Sequence, residues 1–387
     1  MMSRKKKVAM GTLPILFFGY AMFANVAMMS GAADLGVQEP KSLGAVLNGS
    51  VTSRIDTLYK TSLPHRDPAI GLVGVLRYLV LHEGRKGVVV GAGNWLFSDE
   101  EFRPLPAQAQ VLDDSARRIA EIRDRLAVMG SRLVVVPLPA KADIYRDHLG
   151  NDEIASGLAA RYAALLKALA SRSVETVDAR AALLSASKHQ QVFLETDTHW
   201  TPAGASVVAN RIAETEPTFG RTRTYTIQSN QPVEVLGDLT KFIASGPYFA
   251  LTGIKPEKVT LRQAVQAEPQ NGEAVSDLFG TETAIPAVLV GTSYSANETW
   301  GFAEDLKAAL GVDVLNVAEL GRGPVFPMKK YLESDTLRNS PPKLVIWEFP
   351  VRYLALDDLW NSMPGSVPLE TRSVKAELKQ KAAGSPL

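Results

Sequence analysis

Residues 195–202 read ETDTHWTP, and the rest of the chain is best interpreted outward from this stretch. Asp197 and His199 stand two positions apart, after an apolar run at residues 192–194 that predicts a β-strand. Side chains two apart in a strand point to the same face, so the Asp197 carboxylate can accept a hydrogen bond from Nδ1 of His199. Nε2 of the imidazole is then free to act as a base.

A helix N-terminus follows this pair directly. Thr201 is a favourable N-cap and Pro202 a favourable first helical residue, so we predict a helix over residues 203–214. The positive end of that helix disfavours an imidazolium at His199, whereas the Asp197 carboxylate favours one. This balance suits a general base, although a hydrogen-bonded pair without chemistry and a metal site are open alternatives at this point.

Composition excludes several classes of function. The 387 residues carry a formal net charge of +1, which argues against nucleic-acid binding because that requires a basic face. No cysteine is present, which rules out a cysteine nucleophile, thiolate metal sites and disulfides. The five histidines form no second cluster, which argues against a metal site, and a nucleophile elsewhere in the chain would decide between the alternatives.

The N-terminus predicts a membrane anchor. Four basic residues at positions 4–7 precede an uncharged, apolar run at residues 8–29. This run of about 22 residues is long enough to span a bilayer, and the basic cluster should stay on the cytoplasmic side. Everything after Gly31 is then expected on the far side of the membrane. A signal peptide cleaved near residues 30–33 is the alternative.

Apolar strands and amphipathic helices alternate after residue 63. Continuous apolar runs, typical of strands buried in parallel sheets, occur at residues 133–137, 287–290 and 343–349. The alternation predicts an α/β domain with a mostly parallel sheet and helices on both faces. Ligands of such sheets bind beyond the carboxyl ends of the strands, where we expect Asp197 and His199 to lie.

These patterns divide the chain into four parts. Residues 1–33 form the basic tip and the anchor, and residues 34–62, which are polar, form a tether. Residues 63–360 form the α/β domain. Within it, a segment at about residues 217–284 has no long periodicity and is interpreted as an insertion or cap. Residues 361–387 form a C-terminal tail.

A second motif supplies a candidate nucleophile. Residues 291–295 read GTSYS, directly after an apolar strand and before a helix predicted at about residues 297–310. Ser293 therefore stands at a strand-to-helix turn, where unpaired backbone N–H groups can stabilise an oxyanion. A lone serine at such a turn is more often a helix cap, but its combination with Asp197 and His199 favours a Ser-His-Asp arrangement.

Together, the motifs at residues 197–200 (DTHW) and 291–295 (GTSYS) resemble those of the alginate O-acetyltransferase family of SGNH-hydrolase-like proteins. Segments at residues 93–97, 137–141 and 347–353 (GNWLF, PLPAK and WEFPVRY) are also similar to that family. Ordinary SGNH hydrolases carry the serine block first. Here the Asp/His block precedes the serine block, the circularly permuted order that this family shows.

The resemblance implies a function and assigns roles. Ser293 would be the nucleophile, His199 the base and Asp197 the residue that orients it, with no cofactor and no metal. The family acts outside the cytoplasm on bacterial exopolysaccharide and takes acetyl groups from a membrane-bound O-acyltransferase partner. We therefore expect a single-pass inner-membrane protein with a periplasmic catalytic domain. Because few residues follow Tyr353, we expect no C-terminal carbohydrate-binding module of the kind that some members carry.

Four other side chains are candidate substrate-binding residues. Tyr294 and Trp200 offer rings on which a sugar can stack, with core packing as the alternative for Trp200. Lys141 follows a predicted strand end, and Arg322 lies in a loop that can reach the site from a neighbouring strand. Two other functions use the same sequence features: a secreted carbohydrate acetylesterase, and a non-catalytic scaffold in a polysaccharide acetylation or secretion complex.

The anchor is directly testable. If residues 8–29 are retained, the mature protein should fractionate with membranes and resist a high-salt wash, because an apolar span is not released by screening charges. Cell fractionation with N-terminal sequencing checks this. Soluble protein that starts near Ala33 would instead identify a cleaved signal peptide.

Overall fold

The computed structural model describes residues 4–31, 47–216, 219–267 and 285–356. The strands are β1 (Val88–Val90), β2 (Leu96–Ser98), β3 (Arg132–Leu138), β4 (Glu175–Thr176), β5 (Tyr225–Val235), β6 (Glu257–Gln266), β7 (Ala287–Val290), β8 (Val314–Asn316) and β9 (Leu344–Pro350). The helices are α1 (Arg4–Gly31), α2 (Ser50–Ser62), α3 (Arg66–Leu76, continued by a π-helical turn at Arg77–Leu81), α4 (Gln108–Val128), α5 (Lys141–Ile144), α6 (Arg146–Leu149), α7 (Asp152–Ala170), α8 (Ala179–Ala186), α9 (Pro202–Thr215), α10 (Ser293–Ala296), α11 (Phe302–Leu310), α12 (Val325–Leu332) and α13 (Asp335–Asn339). Short 3₁₀ helices are Asp99–Phe102, Asp238–Phe242, Gly246–Thr252, Glu298–Trp300 and Val351–Ala355.

The chain forms two compact units. The first comprises Met1–Arg85 and Lys241–Ile254, and the second comprises Lys86–Thr240 and Lys255–Leu387. The α/β domain therefore starts near Lys86, later than the predicted boundary at residue 63.

The first unit contains α1, α2 and α3. Helix α2 occupies the last part of the predicted tether, and residues 34–46 lie outside the described residues. Against α3, the backbone of Ser245 and Ile243 approaches Gly71 and Gly74 so closely that a Cβ at either glycine would overlap it. Among the described residues, no helix combines the length and the apolar character that a membrane crossing requires.

The second unit is built on a five-stranded sheet with the order β4-β3-β9-β7-β8. Every pairing in it is parallel, and β9 pairs with β3 along its whole length and with β7 over Leu344–Trp347. The predicted α/β class with a parallel sheet is therefore confirmed. The carboxyl ends of β3, β9 and β7 lie side by side, which brings the segments that follow these strands to one edge of the sheet.

Alternate residues of the central strands face two separate cores. Leu289 and Ile346 point to a core shared with α8, α9 and α11. Their neighbours Val288 and Val345 point to a core shared with α4, α7, α12 and α13. Because strand side chains alternate in direction, continuous apolar strands such as LVIW in β9 require helices on both faces. The predicted placement of helices on both faces of the sheet is confirmed.

The strand predicted at residues 192–194 is wrong. These residues lie in a loop that folds back on itself through a single antiparallel bridge between Phe193 and Trp200. The Leu194 N–H donates to the His199 carbonyl, and the Thr201 N–H donates to the Val192 carbonyl. The loop thus pairs its own backbone groups and buries its apolar side chains without joining the sheet.

The predicted insertion contains a long antiparallel hairpin. Strands β5 and β6 pair from Tyr225↔Gln266 to Val235↔Glu257, with an irregularity between Ser229 and Pro232. Residues 217–218 and 268–284 of this segment lie outside the described residues. Segments on both sides of the 3₁₀ helix Gly246–Thr252 return to the second unit, where Asp238 and Glu257 contact the loop at residues 192–201.

Two helical glycines provide a matched stability test. The predicted cap of α9 is confirmed, since Thr201 Oγ1 accepts the Gly204 N–H at 3.1 Å. A Cβ at Gly204 would overlap the Val192 carbonyl, whereas a Cβ at Gly157 in α7 would meet nothing. We expect Gly204→Ala to lower the free energy of unfolding by about 1–3 kcal/mol through overpacking. Gly157→Ala should raise it by about 0.5–1 kcal/mol.

Urea unfolding followed by tryptophan fluorescence measures both changes. Equal effects of the two substitutions would contradict the close packing of α9 on the loop.

Candidate active site

The nucleophile turn connects β7 to α10. Strand β7 ends at Val290, Thr292 caps the short helix, and Ser293 is its first residue. The first N–H groups of a helix have no acceptor within the helix, so the Ser293 N–H is directed away from the helix body. The predicted strand-to-turn placement of Ser293 is confirmed.

A buried carboxylate lies directly beneath this turn. Glu348, in β9, accepts hydrogen bonds from the Thr292 N–H (2.9 Å), the Thr292 hydroxyl (2.9 Å) and the Ser295 hydroxyl (2.7 Å). Burial raises the pKa of Glu348, and these hydrogen bonds oppose that rise. Gly291 has no space for a Cβ because the Glu348 carboxylate and Ser295 occupy it. The Glu348 carboxylate thus explains why a glycine stands at 291 and hydroxyl side chains stand at 292 and 295.

Asp197 and His199 are brought together by a tight turn. The His199 N–H donates to Asp197 Oδ1 at 2.9 Å, and His199 Nδ1 lies 2.6 Å from the same oxygen. The second oxygen, Oδ2, accepts the Asp238 N–H at 2.8 Å. Backbone N–H groups on both oxygens therefore orient the Asp197 carboxylate independently of its contact with the imidazole. The predicted contact is confirmed, although its geometry is that of a turn and not of an extended strand.

The two loops meet at one hydrogen bond. His199 Nε2 lies 2.7 Å from Ser293 Oγ. A carboxylate only accepts hydrogen bonds, so Nδ1 carries the proton and Nε2 presents its lone pair to the Ser293 hydroxyl. Burial raises the pKa of Asp197, but the hydrogen bonds from the His199 ring and from the backbone N–H groups of His199 and Asp238 outweigh the effect of burial and hold that pKa below its usual range. The arrangement can accept a proton from the serine while Asp197 stays ionised.

Two aromatic rings enclose the imidazole. The Trp300 ring stacks on His199 with centroids 5.4 Å apart and planes at 23°, and the Tyr294 ring lies 4.7 Å away. Trp300 stands in the 3₁₀ helix after the nucleophile turn and is buried. Stacked rings restrict the imidazole to one orientation and attract it more strongly once it is protonated.

Lys141 is buried and does not face substrate. Its Nζ donates to the carbonyl oxygens of Leu96 (2.6 Å), Glu195 (2.9 Å) and Asp197 (2.9 Å). Burial lowers the pKa of Lys141 to about 8, and the charge of Glu101 opposes that change. The interpretation of Lys141 as a substrate-binding residue is wrong, because all three donors of its ammonium are directed at backbone carbonyls. It holds the loop that carries Asp197.

The interpretation of Tyr294 and Trp200 as sugar-stacking residues is also wrong. Both are buried, 2% and 0% exposed, and the Trp200 ring packs on Phe302. Core packing, the alternative for Trp200, is confirmed. Arg322 stacks on Phe326, with 5.1 Å between its guanidinium carbon and the ring centroid, and no described contact joins it to the triad. Its role in substrate binding stays a prediction.

Sequence reasoning missed two acidic residues of the insertion. Glu257 accepts hydrogen bonds from the Glu195 N–H (2.9 Å), the Thr196 N–H (3.1 Å) and the Thr196 hydroxyl (3.0 Å). Asp238 accepts the Thr198 N–H at 2.8 Å. Both hold the Asp/His loop from outside the sheet. No periodic pattern surrounds either residue, so only the need of a bent loop for N–H acceptors could have indicated them.

A metal is the remaining alternative for this cluster. Ligand atoms of Asp197, His199 and Asp238 lie within 4.8 Å of one another. Both oxygens of Asp197 already accept N–H groups, and both oxygens of Asp238 accept donors of Thr198. His199 Nε2 faces Ser293. The oxygen and nitrogen atoms that could bind a cation are therefore already engaged in hydrogen bonds, which fits a serine site better than a cation site.

Fold and site together define an α/β protein of the SGNH-hydrolase-like class, with Ser293, His199 and Asp197 at the carboxyl edge of a parallel sheet. Residues 88–351 match the family model described as the SGNH hydrolase-like domain, acetyltransferase AlgX. The chain belongs to this family.

Relatives agree with the family. The chain is 39% identical over 344 residues to the probable alginate O-acetylase AlgJ of Azotobacter vinelandii, which covers 88% of this chain and 87% of the relative. Among solved structures, the O-acetyltransferase domain of Pseudomonas putida AlgJ is 35% identical with a TM-score of 0.60, covering 77% of this chain and 100% of that one. Pseudomonas aeruginosa AlgX is 25% identical with a TM-score of 0.56, covering 71% and 65%.

Proposed function

We propose that this protein is a polysaccharide O-acetyltransferase that adds acetyl groups to alginate or a related bacterial exopolysaccharide through an acetyl-serine intermediate. The observation that carries the proposal is the 2.7 Å contact between His199 Nε2 and Ser293 Oγ, backed by Asp197, in a chain of this family. The relatives named alginate O-acetylase support alginate as the acceptor.

In the first step, the Ser293 hydroxyl attacks the carbonyl carbon of an acetyl donor. His199 Nε2 takes the hydroxyl proton as the Oγ–C bond forms, and Asp197 stabilises the imidazolium through Nδ1. Negative charge develops on the carbonyl oxygen, and the Ser293 N–H is placed to stabilise it. The bond to the donor then breaks, the leaving group takes the proton from His199, and acetyl-Ser293 remains.

In the second step, a sugar hydroxyl takes the place of the leaving group. His199 removes its proton while the hydroxyl oxygen attacks the acetyl-serine carbonyl. Collapse of the tetrahedral intermediate releases the acetylated sugar, and the proton passes from His199 to Ser293 Oγ. Water in place of the sugar gives an acetylesterase by the same steps, so the acceptor decides the reaction.

Donor and location complete the proposal. The donor is an acetyl group presented by a membrane-bound O-acyltransferase, and the catalytic unit works in the periplasm, held at the inner membrane by its N-terminal segment. Two features support this location: the basic cluster ahead of the apolar run in the sequence, and the exposed apolar side chains of α1, which include Ile15, Leu16 and Phe17. No cofactor is needed for any step.

Substitution of the triad tests the enzyme directly. Ser293→Ala and His199→Ala should each lower turnover of a small acetyl ester by at least about 10³-fold, and the double variant should be hardly worse. Asp197→Ala is the third variant; because it also removes the acceptor of the Asp238 N–H, its melting temperature is measured beside its activity. It should retain more activity than the other two, since Asp197 moves no proton.

Ser185→Ala and His189→Ala, both exposed and near α8, are matched controls that should keep full activity. The readouts are ester turnover with purified protein and acetyl content of polymer made in cells. Normal polymer acetylation in cells carrying Ser293→Ala would reject the enzyme and favour the scaffold. Hydrolysis of the ester that is unchanged by added oligosaccharide would favour the acetylesterase.

A further inference from the structure

Ser293 and His199 are 94 residues apart and belong to two loops that share no secondary structure. A hydrogen bond between their side chains forms only if the two loops are held at a fixed distance and orientation to each other. A displacement of about 1 Å can cost about 100-fold in rate, so a direct link between the loops has functional value. Such a link starts at Tyr294, the residue that follows the nucleophile.

The Tyr294 hydroxyl crosses from the nucleophile loop to the base loop. It donates to the carbonyl oxygen of Thr198 at 2.6 Å, and it accepts a hydrogen bond from Arg352 Nη1 at 3.1 Å. Both Tyr294 and Arg352 are buried. A charged donor polarises the hydroxyl and strengthens its bond to the carbonyl, so Arg352 and Tyr294 act in series.

The peptide group that accepts this bond is the one that carries the base. The carbonyl of Thr198 and the N–H of His199 belong to a single planar unit. Tyr294 holds the carbonyl end, and Asp197 Oδ1 holds the N–H end at 2.9 Å. With both ends fixed, this plane cannot rotate, and the direction in which the His199 side chain leaves the backbone is set.

We propose that Tyr294 and Arg352 are positioning residues: the chain Arg352–Tyr294–Thr198 sets the approach of His199 Nε2 to Ser293 Oγ. Arg352 is itself fixed by two further contacts, because its Nε donates to Glu100 at 3.3 Å and its guanidinium lies over the Tyr353 ring. This inference rests on the proposed function for its rate measurement, but the geometry can be tested without it.

The test compares two buried tyrosines. Tyr294→Phe removes the linking hydroxyl and keeps the ring. Tyr331→Phe, in α12, is the matched control, because the Tyr331 hydroxyl is buried and has no hydrogen-bond partner among the described residues. For a small acetyl ester, we expect Tyr294→Phe to lower kcat by about 10- to 100-fold with KM changed by less than about twofold. The control should retain wild-type kcat.

Labelling of Ser293 by a sulfonyl fluoride provides a second readout that needs no acetyl chemistry. The rate of labelling depends on proton removal from Ser293 by His199, so it should fall in Tyr294→Phe in parallel with kcat. In the Tyr294→Phe background, Arg352→Lys should add little, because the two residues act in series. Melting temperatures of all variants identify any loss that comes only from unfolding.

Wild-type kcat and labelling rate in folded Tyr294→Phe would overturn the proposal. The proposal would also be overturned if the decreases in kcat and labelling rate of Tyr294→Phe were no larger than the fraction of that variant that is unfolded at the assay temperature. If wild-type protein is labelled at Ser293 but turns over no acetyl ester, the proposed function fails. The labelling rates of the two tyrosine variants then still decide whether Tyr294 positions the base.

Discussion

Buried charge at the carboxyl edge of the sheet is the constraint on which the site depends. Glu348 and Lys141 are buried beneath the two catalytic loops. Each forms hydrogen bonds to one of those loops. A buried charge costs several kcal/mol unless hydrogen bonds compensate it. Glu348 takes donors from the nucleophile turn, and Lys141 donates to carbonyls of the Asp/His loop. Each loop must therefore keep its shape for its charge to remain satisfied.

This coupling explains how irregular backbone can be held accurately. The stretch from Glu195 to His199 has no sheet partner. Glu257 and Asp238 accept three of its N–H groups, and Lys141 donates to two of its carbonyl oxygens. Most alternative conformations of such a loop would leave a buried donor or acceptor unpaired, which is energetically costly. Catalytic groups need such support from surrounding contacts.

Much of this architecture can be predicted from the sequence, and the predictions that fail do so for physical reasons. Continuous apolar strands indicated a parallel sheet, and Thr201-Pro202 indicated the start of α9, because both signals are local. Ser293 was placed correctly for the same reason. The apolar triplet at residues 192–194 predicts a strand wrongly, because an apolar run does not show whether a segment pairs with a sheet or with itself.

Two of the misassigned residues, Lys141 and Tyr294, share one feature. Charged and aromatic side chains near strand ends often contact substrate, but Lys141 and Tyr294 donate hydrogen bonds to backbone carbonyls of other loops. Their partners, the carbonyls of Glu195, Asp197 and Thr198, carry no sequence signature. Contacts between side chains and distant backbone depend on loop geometry, which periodicity and composition do not contain.

The central claim is that Ser293 carries the acetyl group between donor and acceptor. Rapid quenching of the enzyme with a small acetyl ester, followed by peptide mass spectrometry, measures this directly. The account predicts one acetyl adduct, on the peptide that contains Ser293, which disappears in His199→Ala and is discharged when an oligosaccharide acceptor is added. An acetyl adduct on another residue that turns over at the catalytic rate, or steady turnover with no adduct under conditions where acetyl transfer from the serine is rate-limiting, would contradict it.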